Sequence, residues 1–358
     1  MKSTLGLTVF ALAFLGFMLH AAGAGPQPEP EKRLWEQAQA LQLDYEQRCT
    51  LLEDRRLAAE LNRTLRRLWS HVRTDLASMA LRVVQDPSPD ALTYPNGVCY
   101  ITTGMVAQLR NEDQLAMVLA HETIHYVHRH ALNAMQPAGG TGVPAGADNP
   151  MLSYSGRGIF PRMQAEKEAD TEGLRLIRLA GFDATRIIAL LNGFEPLDNE
   201  NSTSKYRRSM ISAIVDTASG PVSADRSYHY DPEYLSRVSP ALLANARAAI
   251  QKGLWDQAEY HLSNYLSVRP DDPGAYYLRG EARRRNTSGA KVQLAIRAYE
   301  KAIRLDREFA PAYRELGVVY LKMGQRQRAR QFFETYLAMA PQDGGGDYVR
   351  GYLNLCGN

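Results

Sequence analysis

Apolar positions recur at helical spacing along most of the chain, and where that period lapses the sequence changes character. From Glu31 to Val84, Leu, Ala and Arg alternate at helical intervals, which predicts amphipathic helices. Residues 86–104 lose the period and place short apolar runs between turn formers, which predicts strands and a turn. Residues 107–134 regain it. Asn111-Glu112-Asp113 offers a cap and acidic first-turn residues, and no Pro or Gly follows until Pro137, so a continuous helix is expected. Pro and Gly then dominate residues 137–161, which cannot form a packed element and read as either a lid or a plain connection. A second helix is expected from about Pro161 to Ala180, followed by Gly181-Phe182-Asp183 and another short helix. Residues 198–232 are polar and rich in Tyr and Ser.

From Ser239 onward the pattern repeats itself. The cleanest copy holds Tyr313, Leu316, Gly317, Tyr320, Ala329, Phe333, Tyr336 and Pro341. By residue class this resembles the tetratricopeptide pattern, with Tyr336 in the place of an Ala. A second copy has Tyr276, Gly280, Ala295, Tyr299 and Ala302, and a weaker third has Leu242, Ala246, Ala258, Leu262 and Pro270. Tyr348 to Leu355 reads as a cap helix. Three such hairpins stack into a short superhelix whose concave face binds peptides or proteins, or which packs structurally.

The chemistry is concentrated in His121-Glu122-Thr123-Ile124-His125, an H-E-x-x-H motif. On a helix, residues i and i+4 share a face, so both imidazoles reach one ion and Glu122 stands beside it as general base. Catalytic zinc takes three protein ligands, and two histidines leave it one short. The best candidates for the third are Glu166 and Asp170, again at i and i+4 on an expected helix: one can bind metal while the other hydrogen-bonds a ligand imidazole. His128 lies about 10 Å along the axis from His121 at 1.5 Å per residue, too far for the same ion. His130 falls on another face, and both are expected to pack or hydrogen-bond.

H-E-x-x-H together with E-x-x-A-D resembles the HtpX/BepA-type zinc metallopeptidases (metallopeptidase family 48, gluzincins). The stretch Ala91 to Met105 resembles the strand and turn that precede the motif helix in that family. The resemblance spans roughly residues 40–240. It implies a mainly α (α+β) fold: a zincin-like helical metalloprotease domain with a small β-sheet, followed by a tetratricopeptide-repeat superhelix. It also implies one zinc per chain on His121, His125 and Glu166, with Glu122 as catalytic base and Asp170 behind a ligand histidine. Ser227 to Val238 resembles the family segment whose histidine closes over zinc as a fourth ligand, although Tyr230 stands where Pro is usual and Arg237 comes late. His229 is thus either a regulatory ligand or an ordinary loop residue. A peptide substrate is expected to pair with an edge strand carrying Val98, Tyr100 and Thr102.

At 358 residues the chain has room for two or three cores, and its net charge of +3 shows no nucleic-acid footprint. Lys2, the apolar run from Leu5 to Leu19 and Ala22-Gly23-Ala24 read as a cleaved signal peptide over 1–24; the alternative is an uncleaved anchor. The expected domains are then 25–238 for the metallopeptidase and 239–358 for the repeats. Export to the periplasm permits one disulfide among Cys49, Cys99 and Cys356, of unassigned pairing. The leading expectation is a periplasmic endopeptidase for misfolded or stalled outer-membrane proteins. Its repeats would recruit substrate or the outer-membrane assembly machinery, with peripheral membrane association. The alternative is a repeat-containing chaperone or adaptor with latent activity.

Overall fold

The computed structural model describes residues 29–135, 159–187, 231–285, 289–340 and 345–357. These form two compact units, one from 29–84, 89–135 and 159–187, the other from 85–88 and 231–357. The signal peptide expected at 1–24 and His229 lie outside the described residues, as does the Pro/Gly-rich stretch except its last three positions, which begin a helix at Ile159. No helix among the described residues is long and apolar enough to cross a membrane.

The first unit opens with helices α1 (Glu29–Arg48) and α2 (Arg55–Trp69). Asp54 caps α2 by accepting from the Leu57 amide at 2.8 Å. Leu57, Leu61, Leu65 and Leu68 form its buried stripe, each worth about 1.5–3 kcal/mol on full burial. The helical pattern read over 31–84 fails at its end: Ala80–Val84 is strand β1. Its residues pair in parallel with β3 (Val98–Thr102), and this tertiary partner overrides a local preference read from Ala, Leu and Arg. β2 (Ala91–Thr93) pairs antiparallel on the other side of β3, giving the order β1-β3-β2.

That order corrects one expectation. Val98, Tyr100 and Thr102 are not on an edge strand. β3 is central, paired on both sides, and all five of its residues are buried. β2 is the edge strand, and Thr93 is its buried end.

After a short helix α3 (Thr103–Gln108), Asn111 caps α4 (Glu112–Val127) through the Gln114 amide at 3.0 Å. Glu112 accepts from Thr64 Oγ1, which fastens α4 to α2. α4 buries residues around its whole girth, including Leu115, Ala116, Leu119 and Ala120, the pattern of a central core helix. The expected single helix to 134 is broken at Arg129, whose φ of 55° lies in the left-handed region; α5 (His130–Met135) follows. α6 (Ile159–Leu179) packs along α4. Gly173 lies against α4, where a Cβ would stand 3.2 Å from the His121 backbone nitrogen. All three cysteines are free thiols, so the permitted disulfide is not formed.

The second unit holds three helical hairpins: α7 (Pro232–Gln251) with α8 (Trp255–Val268), α9 (Pro273–Arg285) with α10 (Gly289–Leu305), and α11 (Ala310–Lys322) with α12 (Arg326–Met339). α13 (Gly346–Cys356) covers the end of the last. The repeat positions read from the sequence do the packing. Tyr299 and Phe333 are fully buried, and their rings fill the space over Gly280 and Gly317. α7 runs across residue 238, the boundary read from the sequence, and the division between units falls before Asp231.

Buried His261 makes this unit acid-sensitive. Its Nε2 faces the Asn245 amide nitrogen and its Nδ1 is buried without a partner among the described residues, so a second ring proton finds no acceptor there. Burial holds its pKa down at about 4, against about 6.5 when unfolded. Because the native pKa is depressed, the unfolded chain takes up the proton first, and stability falls as pH drops from 6.5 towards 4. The expected loss is about 3 kcal/mol at 1.36 kcal/mol per unit. Urea unfolding followed at neutral and at acid pH checks it, and His261→Gln should lose most of the difference.

Candidate metal centre

α4 and α6 face each other with their polar positions in register. His121 and His125, one turn apart on α4, turn their Nε2 atoms together at 3.0 Å. From α6 the Glu166 carboxylate reaches both, with Oε2 3.6 Å from His121 Nε2 and Oε1 3.5 Å from His125 Nε2. Asp170, only 1% exposed, lies one turn further along α6, and its Oδ1 is 2.9 Å from His121 Nδ1. A carboxylate on Nδ1 keeps the proton there and leaves Nε2 as a lone pair. At that distance the His121 and His125 nitrogens either share one proton or, with both lone pairs free, turn toward a common cation beside the Glu166 carboxylate. Three donors of the N, N, O type converging within 4.8 Å suit zinc with a position left open.

Glu122 faces the same space from a buried position, and its Oε2 accepts from Thr93 Oγ1 at 2.9 Å. Burial raises its carboxyl pKa, as does the charge of Glu166, while His121 and the Thr93 hydroxyl pull it down. A carboxylate raised toward neutrality is a better proton acceptor near physiological pH. Thr93 links the sheet edge to this carboxylate. Nothing in the sequence pointed to it, because the contact spans strand and helix. Cys99, buried behind it, has its thiol pKa pushed up first by burial and then by the Glu122 charge, which disfavours the thiolate a metal needs.

The structure thus brings His121, Glu122, His125, Glu166 and Asp170 together as the spacing predicted. It also joins the two histidines set aside at first. His130 Nδ1 lies 3.0 Å from His125 Nδ1, and its Nε2 is 3.2 Å from Glu168 Oε2. His128 lies between Glu168, at 3.6 Å from Nδ1, and Glu172, at 3.1 Å from Nε2. The turn at Arg129 could not be read from helical periodicity, and it is what swings His130 back towards His125.

Comparison with known proteins finds a peptidase family over the motif helix and repeat families after it. The Peptidase family M48 model matches residues 55–144, a span that contains His121, Glu122 and His125 and ends before Glu166. A TPR repeat model matches 291–324 and a Tetratricopeptide repeat model 310–343. The mitochondrial metalloendopeptidase OMA1 of Schizosaccharomyces pombe is 32% identical over 114 residues, 29% of this chain and 34% of the relative. The beta-barrel assembly-enhancing protease of Escherichia coli is 26% identical over 160 residues, 37% of this chain and 31% of the relative. The matched region spans about a third of the length of these curated relatives. With the motif, the facing carboxylates and the repeats all in place, the chain carries a region similar to peptidase family M48 over residues 55–144, followed by tetratricopeptide repeats.

Proposed function

We propose that this chain is a zinc-dependent endopeptidase that acts on unfolded or stalled proteins of the cell envelope. The convergence of His121, His125 and Glu166 beside buried Glu122 carries the reading. One zinc ion held by these three residues would supply Lewis-acid polarisation of a peptide carbonyl and an acidified water. Asp170 fixes the His121 tautomer. Glu122, oriented by Thr93, takes the proton of the attacking water and returns it to the leaving amine. An extended substrate would add to the outer side of β2, in line with Thr93, so that backbone pairing positions the scissile bond irrespective of side-chain sequence.

The relative named for β-barrel assembly supports an envelope role, and the expected signal peptide over 1–24 supports the periplasm. The repeats are suited to recruit protein partners, including an outer-membrane assembly machine. The test is hydrolysis of casein by the purified protein before and after metal stripping. Activity should vanish with a chelator and return on adding one equivalent of zinc per chain. Chelator-resistant hydrolysis, or none in the zinc-loaded protein, would sink the reading.

A further inference from the structure

We propose that His128, His130 and Glu168 form a second metal site, for a borderline divalent ion such as Zn2+, coupled antagonistically to the His121–His125–Glu166 centre. The three offer one donor atom each within 4.8 Å of one another. Glu168 Oε2 stands between His130 Nε2 at 3.2 Å and His128 Nδ1 at 3.6 Å. Two imidazoles and a carboxylate are a donor set that suits zinc or its neighbours rather than calcium or magnesium.

The surroundings repeat those of the first centre. α6 carries Glu166 and Asp170 one turn apart, and two residues along it carries Glu168 and Glu172 one turn apart. In each pair the first carboxylate faces both imidazoles. The second takes the far nitrogen of one: Asp170 on His121 Nδ1 at 2.9 Å, Glu172 on His128 Nε2 at 3.1 Å. A carboxylate behind a ligand imidazole is the usual support of a metal-bound histidine. Arg129 separates the two histidines with a φ of 55°, and it is the one non-glycine with positive φ among the described residues. Backbone in that region is disfavoured for a side-chain-bearing residue and is held only where the surroundings demand it. Here it brings His128 and His130 to one carboxylate. The His128 and Glu168 side chains are 32% and 35% exposed, so an ion has access from solvent.

The coupling follows from proton counting. His125 Nδ1 and His130 Nδ1 are 3.0 Å apart, room for one proton. An imidazole bound to metal through Nε2 keeps its proton on Nδ1. With the first centre filled, His125 therefore donates to His130. His130 then carries its own proton on Nε2, directed at Glu168, which closes the second site. Filling both sites would set two N–H groups against each other. The coupling, unlike the site itself, rests on His125 being a ligand of the first centre.

Equilibrium dialysis of the metal-stripped full-length protein against rising zinc, read by elemental analysis, tests both parts. Wild type should take up a second ion more weakly than the first. His128→Ala and the size-preserving Glu168→Gln should each lose only the weaker ion, with unchanged circular dichroism. His125→Ala should bind its one remaining ion roughly 5–150-fold more tightly than wild type binds its second, the usual range of coupling between sites. A wild type that saturates at one ion, still present in His128→Ala, overturns the site, as does a His128→Ala protein that binds two. Equal affinity in His125→Ala overturns the coupling. One ion in wild type that His128→Ala abolishes would uphold this site and refute the first.

Discussion

Glu122→Gln should keep its zinc and its fold and lose about 10²–10⁴ of its hydrolytic rate, the usual contribution of a positioned acid–base group. Glutamine matches the volume, so no cavity opens at a position that is 8% exposed. Its amide oxygen can still accept from Thr93 Oγ1, as Glu122 does at 2.9 Å. The water can still be held. What disappears is the ability to take its proton and to pass it on. Peptide hydrolysis measured beside zinc content separates the two roles: a zinc-loaded Glu122→Gln protein working at the wild-type rate would remove Glu122 as the base.

Glu166→Ala should emerge from purification nearly free of zinc, its affinity weakened by more than about 100-fold. Removing a carboxylate that only supports a ligand histidine typically costs 10–100-fold. Glu166 contributes a donor atom itself and, among the described residues, is the carboxylate that faces both His121 Nε2 and His125 Nε2. Without it the two imidazoles form an incomplete cage, and zinc needs three protein donors here. Asp170→Asn is the comparator, since it should fall inside the smaller range. Zinc content equal to wild type in Glu166→Ala would exclude it from the ligand set.

Much of this centre is encoded in local sequence. His121, Glu122 and His125 follow from the H-E-x-x-H spacing on a helix, a second i, i+4 pair on an expected helix offers Glu166 and Asp170, and the family resemblance tells their roles apart. The repeats were legible because a small residue recurs opposite a large aromatic one, Gly280 with Tyr299 and Gly317 with Phe333, in two of the three hairpins. Contacts between elements distant in sequence were not legible. β1 looked helical because its preference is decided by a parallel partner 18 residues away, as in Ala80 with Val98. The edge strand was misassigned because local sequence cannot say which of three strands lies in the middle. The meeting of His130 with His125 and Glu168 was not legible because the left-handed turn at Arg129 and the facing helix create it, and the contact of Thr93 with Glu122 because it spans strand and helix; no short-range period encodes either.

The missing side chain at Gly173 has a further consequence. Where α6 crosses α4 the gauge is set by main-chain atoms, with nothing between Gly173 and the backbone of His121. Side chains can repack and change rotamer, whereas two hydrogen-bonded helices in contact act as a rigid caliper. The donors from the two helices are thus held at a separation that core substitutions elsewhere can hardly alter. Drift in the surrounding packing would erode the stability of the domain well before it loosened the jaws that grip the ion.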